Sequence, residues 1–222
     1  MKLTHAVAAV ATMASLLLVA QSAAAETLTV AQWKMDDTGT TMVDSSGHNH
    51  NGTLHNVKTG QPGFSGKAYL FSGKPSYVSV PSATDLNPVT STFTVTLHVK
   101  FPARPTSAVG DFDVLRKGLS TTDGGSYKIE ILQSGKAFCD FRGATHEGSL
   151  TGTKALAVNT WHTIACTRTP TSMKLVVDGV TTSKAVTTGT ISNTGNLYVG
   201  AKNGSGGDQF SGLVDAVTIK KG

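Results

Sequence analysis

Residues 159–180 read NTWHTIACTRTPTSMKLVVDGV, which places a His, a Cys, an Arg, a Lys and an Asp within one short stretch. Two alternating runs flank the turn-forming Thr-Pro-Thr-Ser. In the first, Trp161, Thr163, Ala165 and Thr167 fall on one face and His162, Ile164, Cys166 and Arg168 on the other. In the second, Met173, Leu175 and Val177 share a face before an Asp178-Gly179 turn. A period of two is the signature of a strand, so the spacing predicts a hairpin, with Trp161 anchoring an edge of the core. His162 and Cys166 are four residues apart on one strand, about 13 Å along it. That is too far for an imidazole to activate a thiolate. The stretch reads as scaffold, not as a nucleophile with its base.

The same period recurs outward from this hairpin. Phe93, Val95, Leu97 and Val99 alternate with polar residues over 92–101, and Ile129 and Ile131 alternate with Lys128 and Glu130 over 126–132. Shorter candidates are 28–35, 67–72, 76–80, 111–117, 136–141, 195–200 and 212–219, separated by turn signals such as DSSGHNHNG, TTDGGS and KNGSGG. After the N-terminal segment no window carries a helical period. Many short strands at fairly even spacing predict an all-β, two-sheet antiparallel sandwich.

The N-terminal segment has its own logic. Lys2 precedes an apolar run over residues 6–20, and Ala23 and Ala25 have the small-residue pattern of a signal-peptidase site. Cleavage is expected after Ala25, leaving a secreted product over 26–222 as a single domain. No other apolar run approaches the ~20 residues of a membrane helix, so no membrane span is expected. The formal charge of +5 comes from scattered basic residues. A nucleic-acid partner would want a basic stripe instead. In an oxidising compartment Cys139 and Cys166 are expected to pair, and neighbouring strands would bring their Cβ atoms within bridging range.

At this point the chain resembles a family. VAQWKMDDTG, DSSGHNHNGTL, KAYLFSGKPSYVSVP, FTVTLHVKF, NTWHTIACTRT, MKLVVDG and FSGLVDAVTI follow the order seen in laminin-G-like, concanavalin A-like lectin/glucanase domains of the bacterial secreted type. The resemblance implies a jelly-roll sandwich with one concave and one convex sheet. It also implies an extracellular glycan or polysaccharide as partner, or an extracellular protein held at the loop rim. Members often hold a structural calcium where the N-terminal segment meets the last strand. By motif position Asp36 and Asp215 carry over to that site, and Asp44 would add a third carboxylate. Ala216 stands where the common form has a second acidic residue.

The fold also hosts glycoside hydrolases and lyases, so catalysis has to be judged at the site. Hydrolysis generally needs two carboxylates some 5–9.5 Å apart. The chain has three glutamates, Glu26, Glu130 and Glu147, and lacks the Glu-x-Asp-x-x-Glu strand motif of the fold's glucanases. Glu130 and Asp140, on consecutive strand candidates, are the residual pair. No catalytic residue is assigned, and the expectation is a non-catalytic carbohydrate-binding module. A polysaccharide-active enzyme and a protein-interaction module are the alternatives. The ligand candidates are Tyr127, Lys128, Glu130, Phe141, Arg142 and His146, with Phe138 beside them. A basic rim of Arg116, Lys117, Lys128 and Arg142 would favour acidic glycans. His146 and Glu147 are expected in an exposed loop. His48 and His50 lack a third metal ligand in sequence and read as a solvated turn, while His98 and His162 look structural.

Overall fold

A computed structural model of the protein describes Met1, residues 27–205 and residues 207–222. The expected leader, Met1 apart, lies outside the described residues. The strands are β1 (Leu28–Trp33), β2 (Thr41–Met42), β3 (Gly52–His55), β4 (Lys58–Pro62), β5 (Lys67–Ser72), β6 (Tyr77–Val80), β7 (Phe93–Lys100) and β8 (Phe112–Lys117). They continue as β9 (Ser126–Ile131), β10 (Lys136–Arg142), β11 (Glu147–Ala155), β12 (His162–Arg168), β13 (Ser172–Val177), β14 (Val180–Ala185), β15 (Leu197–Val199) and β16 (Ser211–Lys221). Among the described residues no helix is long and apolar enough to cross a membrane.

The strands form two antiparallel sheets. The first runs β14-β13-β12-β7-β16-β5-β4, with β1 pairing β16; the second runs β11-β10-β9-β8-β15-β6-β3-β2. The opening stretch is the β12–β13 hairpin, with Cys166 opposite Leu175 and Arg168 opposite Met173. Burial follows the alternation. Phe93, Val95, Leu97 and Val99 from the first sheet meet Tyr127, Ile129, Ile131, Ala137, Cys139 and Phe141 from the second in one core cluster. Phe93 packs 5.2 Å, ring to ring, from Tyr127 across the sandwich. Arg168 is buried and donates to the carbonyls of Val89, Ser91 and Gly189, so this cation ties two loops to the scaffold.

Three expectations change. Cys139 and Cys166 are bonded, but on β10 and β12, which belong to different sheets. The bridge therefore crosses the core instead of joining neighbouring strands. Trp161 is only half-buried and lies with Phe64 and His98 on the outer side of the first sheet; Trp33 is the tryptophan buried in the core. Glu147 begins a strand, β11, and is not a loop residue.

Candidate functional site

The register of the second sheet lines up one residue from each strand. Thr41, Thr53, Ser79, Tyr198, Arg116, Lys128, Asp140 and Ser149 are successive cross-strand partners. Each is flanked along its strand by residues that face the core, so the row lies on the outer face. At ~4.8 Å per strand it forms a band on the order of 30 Å long.

Half of this band is a charged cleft of about 310 Å³, lined by Arg116, Lys128, Glu130, Asp140, Arg142 and Glu147 among others. A buried ion network forms its floor. Arg116 Nε donates to Asp113 Oδ1 at 2.9 Å and its Nη2 donates to Glu130 Oε1 at 2.8 Å. Lys128 Nζ takes the other Glu130 oxygen at 2.7 Å. A bulge between Asp113 and Leu115 turns both Asp113 and Arg116 outward to make this possible. Asp140 Oδ1 and Asp113 Oδ2 are buried with no hydrogen-bond partner among the described residues. Burial, with help from Glu147, pushes the Asp140 carboxyl up to about 7 against the pull of Lys128 and Arg142.

The other half carries the hydroxyls of Thr41, Thr53 and Ser79 and the ring of Tyr198, with two more rings beside it. His55 stacks on Tyr77 at 4.4 Å, and Tyr77 meets Tyr198 edge-on at 5.9 Å. Tyr198 opens onto a second cleft of about 200 Å³, and Lys202 lines both clefts. The sequence reading missed Tyr77 and Tyr198. The available signal was that Val78 beside one, and Leu197 and Val199 beside the other, claim the core face.

Of the six expected ligand residues, the cleft gathers three: Lys128, Glu130 and Arg142. Tyr127 and Phe141 are buried, and the Tyr127 hydroxyl donates to the Leu86 carbonyl at 2.9 Å, so both are core residues. His146 sits exposed at the turn between β10 and β11, near the Thr187 carbonyl and off the cleft. The basic rim does not form either. Lys117 turns inward to Asn193 and Ser82, Arg116 is matched by Asp113 and Glu130, and Arg142 pairs with Glu147. The cleft is a balanced mixture of charges.

The expected calcium ligands do not fit as a set. Calcium takes six to eight oxygens, and among the described residues Asp36, Asp44 and Asp215 do not gather within 4.8 Å of one another. Asp44 is fully engaged: burial opposes its ionisation, yet N–H donors from Gln32, Ser46 and His50 hold its carboxyl below the usual range. Asp36 Oδ1 accepts the Lys67 N–H and Asp215 Oδ2 accepts the Ser65 N–H, so these two flank one turn, residues 63–66. Asp215 Oδ1 is buried there without a hydrogen-bond partner among the described residues. His162 is structural, with its ring nitrogens 2.6 Å from Asp178 Oδ2 and 2.9 Å from the Ala157 carbonyl.

Two antiparallel sheets, a shared core and a polar outer face define a laminin-G-like sandwich. The family model described as the concanavalin A-like lectin/glucanases superfamily matches residues 72–221, and the chain belongs to that family. No curated protein sequence matches it. Among solved structures it is similar to domain 4 of AbnA, an extracellular arabinanase from Geobacillus stearothermophilus, in complex with arabinotriose. The TM-score is 0.66 at 18% identity, covering 89% of this chain and 94% of that one. It is also similar to the binding domain of Paraclostridial Mosquitocidal Protein 1, with TM-score 0.67 at 19% identity over 86% of this chain and 48% of that one. For domains LG4-5 of the mouse laminin alpha1 chain the TM-score is 0.54 at 18% identity, over 68% and 40%. The chain thus spans under half of the latter two. At these identities the likeness is one of fold.

Proposed function

We propose that this chain is a secreted, non-catalytic glycan-binding module whose ligand lies across the outer face of the second sheet. The observation that carries this reading is the cross-strand row in which Tyr198, with Tyr77 edge-on beside it, continues into the charged cleft at Arg116, Lys128 and Asp140. Tyrosine faces stack on sugar rings, while the partly exposed charges of Lys128, Arg142 and Glu147 can read hydroxyls. The balance of charge favours a neutral polysaccharide over an acidic one. The arabinotriose bound by the AbnA domain supports this ligand class.

The test is a glycan array followed by calorimetry on the best hit. Tyr198→Ala is expected to weaken binding roughly tenfold or more, as loss of an aromatic anchor does. EDTA should leave binding unchanged, because the carboxylates that gather at the cleft, Asp113, Glu130 and Asp208, are already paired with Arg116, Lys128 and Lys202. No binding on a broad panel would turn the reading toward an extracellular protein partner.

One observation favours a second reading, a polysaccharide-active enzyme. Asp140 is a carboxyl pushed up to about 7, suited to give a proton, while Glu130 on the adjacent strand is ion-paired to two cations. As diagonal neighbours on β9 and β10 they share one face with Cα atoms roughly 7–8 Å apart, a placement that lets a carboxyl pair work on one glycosidic bond. If the chain cleaves a polysaccharide, Glu130→Gln should lower the release of reducing ends at least a hundredfold. Absence of cleavage across a panel of neutral and acidic polysaccharides removes this reading.

A further inference from the structure

The loop between β2 and β3 was read from sequence as a solvated turn, because two histidines without a third ligand make no metal site. The fold supplies the third ligand. Asp85, from the segment joining β6 to β7, places its Oδ2 2.8 Å from His50 Nε2 and 3.2 Å from His48 Nδ1. One ligand atom from each of the three residues lies within 4.8 Å of the others.

The arrangement is built in from below. Asp44 Oδ2 accepts the His50 N–H at 2.9 Å, and the buried Trp33 donates its indole N–H to the His50 carbonyl at 2.7 Å. The backbone of His50 is thus fixed from both sides. Gly47 and Asn49 take positive φ, 94° and 62°, and fold the chain tightly around the two histidines. The result is a pair of nearly parallel imidazoles, 6.0 Å apart with 20° between their planes. A positive φ is uncommon for residues other than glycine, and Asn is one of the few that adopt it readily, as it does in this turn. His50 is almost wholly buried, while His48 and Asp85 are each about one-third exposed, which leaves a way in for an ion.

We infer that His48, His50 and Asp85 form a site for a divalent first-row transition metal, zinc above all. Two imidazole nitrogens and one carboxylate oxygen are a zinc-type donor set, distinct from the all-oxygen shell that calcium wants. The geometry agrees. Ligands held at ~2.0 Å around a tetrahedral zinc stand about 3.3 Å from one another, near both observed N···O separations. Binding replaces the protons that the imidazoles share with Asp85, so little of the protein has to move. The fourth position is left to water or to a ligand group. Burial tends to raise the Asp85 carboxyl, but the hydrogen bond and charge of His50, with His48, hold it below the usual carboxylate range. Lys221 contributes a nearby positive charge while its ammonium donates to the Asn87 carbonyl. The consequence is a clip between the 44–52 loop and the segment before β7.

The experiment uses the untagged full chain, stripped of metal and titrated with zinc chloride against a chromophoric chelator. Wild type is expected to take one equivalent and to melt at a higher temperature with zinc than without. His48→Ala and Asp85→Asn should each bind zinc at least tenfold more weakly and lose the thermal shift. His48 serves well because none of the backbone supports runs through its ring; the metal-free melting curve reports whether the variant has kept its fold. If it has not, His48→Gln or Asp85→Asn gives the reading. Absence of saturable zinc binding in wild type overturns the inference. So does equal affinity in the folded variants, which would put any bound zinc on other surface histidines such as His55 or His146.

Discussion

Replacing Cys139 and Cys166 together by Ala is expected to lower the thermal midpoint by about 10 °C. The bond closes a segment with a sequence separation of 27. On the chain-entropy model such a closure contributes roughly 3–4 kcal/mol by restricting the unfolded chain, and each kcal/mol moves the midpoint of a domain of this size by about 2–4 °C. Position adds to length. Cys139 lies opposite Ile129 and Leu150 in the second sheet, and Cys166 lies between Val95 and Leu175 in the first, so the bond joins the two sheets through the core. Both sulfurs are buried, and Ala leaves small voids whose cost adds to the entropic term. Calorimetry with and without reductant separates the two parts. Reduction of wild type should reproduce most of the loss, and the Ala pair slightly more. A fall of less than 2 °C would mean that the bridge restricts little in the unfolded chain.

The sequence made much of this legible because strands buried on one face carry their period openly. β7, β9, β12 and β13 all show it. The strands not anticipated, β2, β3, β4, β11 and β14, include the strands at both ends of each sheet's main order. Edge strands are wetted on more than one side, so a segment such as VTTSKA, almost wholly exposed, has no apolar alternation to read. The site was half legible for a related reason. Tyr127 precedes Lys128 and Phe141 precedes Arg142, so within each pair the two side chains must face opposite ways. The run Tyr127-Ile129-Ile131 already claimed the tyrosine for the core. The same rule would have turned Tyr77 and Tyr198 outward. Asp85 beside His48 and His50 had no such signal. Its carboxylate arrives from 35 residues further along the chain than His50, and only the packed sandwich brings the two loops together.

Arg116→Met should produce the largest single loss of stability, about 3–5 kcal/mol at pH 8, the range found when one partner of a buried ion pair is removed. Arg116 lies between two carboxylates that hardly touch solvent, Asp113 and Glu130. Glu130 keeps Lys128 as a partner, whereas Asp113 keeps nothing among the described residues and already has one oxygen unpaired. The pH dependence identifies the cause. Burial already raises the Asp113 carboxyl in wild type, with Arg116 as the main opposing influence, so its removal raises that carboxyl further. A carboxyl whose folded pKa lies above its unfolded value costs stability as pH climbs from about 4, where the unfolded group ionises, to the folded pKa. The variant's deficit should therefore be clearly smaller at pH 5 than at pH 8, as urea unfolding at the two values would measure. Adding Asp113→Asn and Glu130→Gln should recover most of the loss, since neutral amides need no buried cation, and comparison with the amide pair alone isolates the coupling. A deficit equal at both pH values, or one the amides leave untouched, would assign Arg116's contribution to packing of its aliphatic stem.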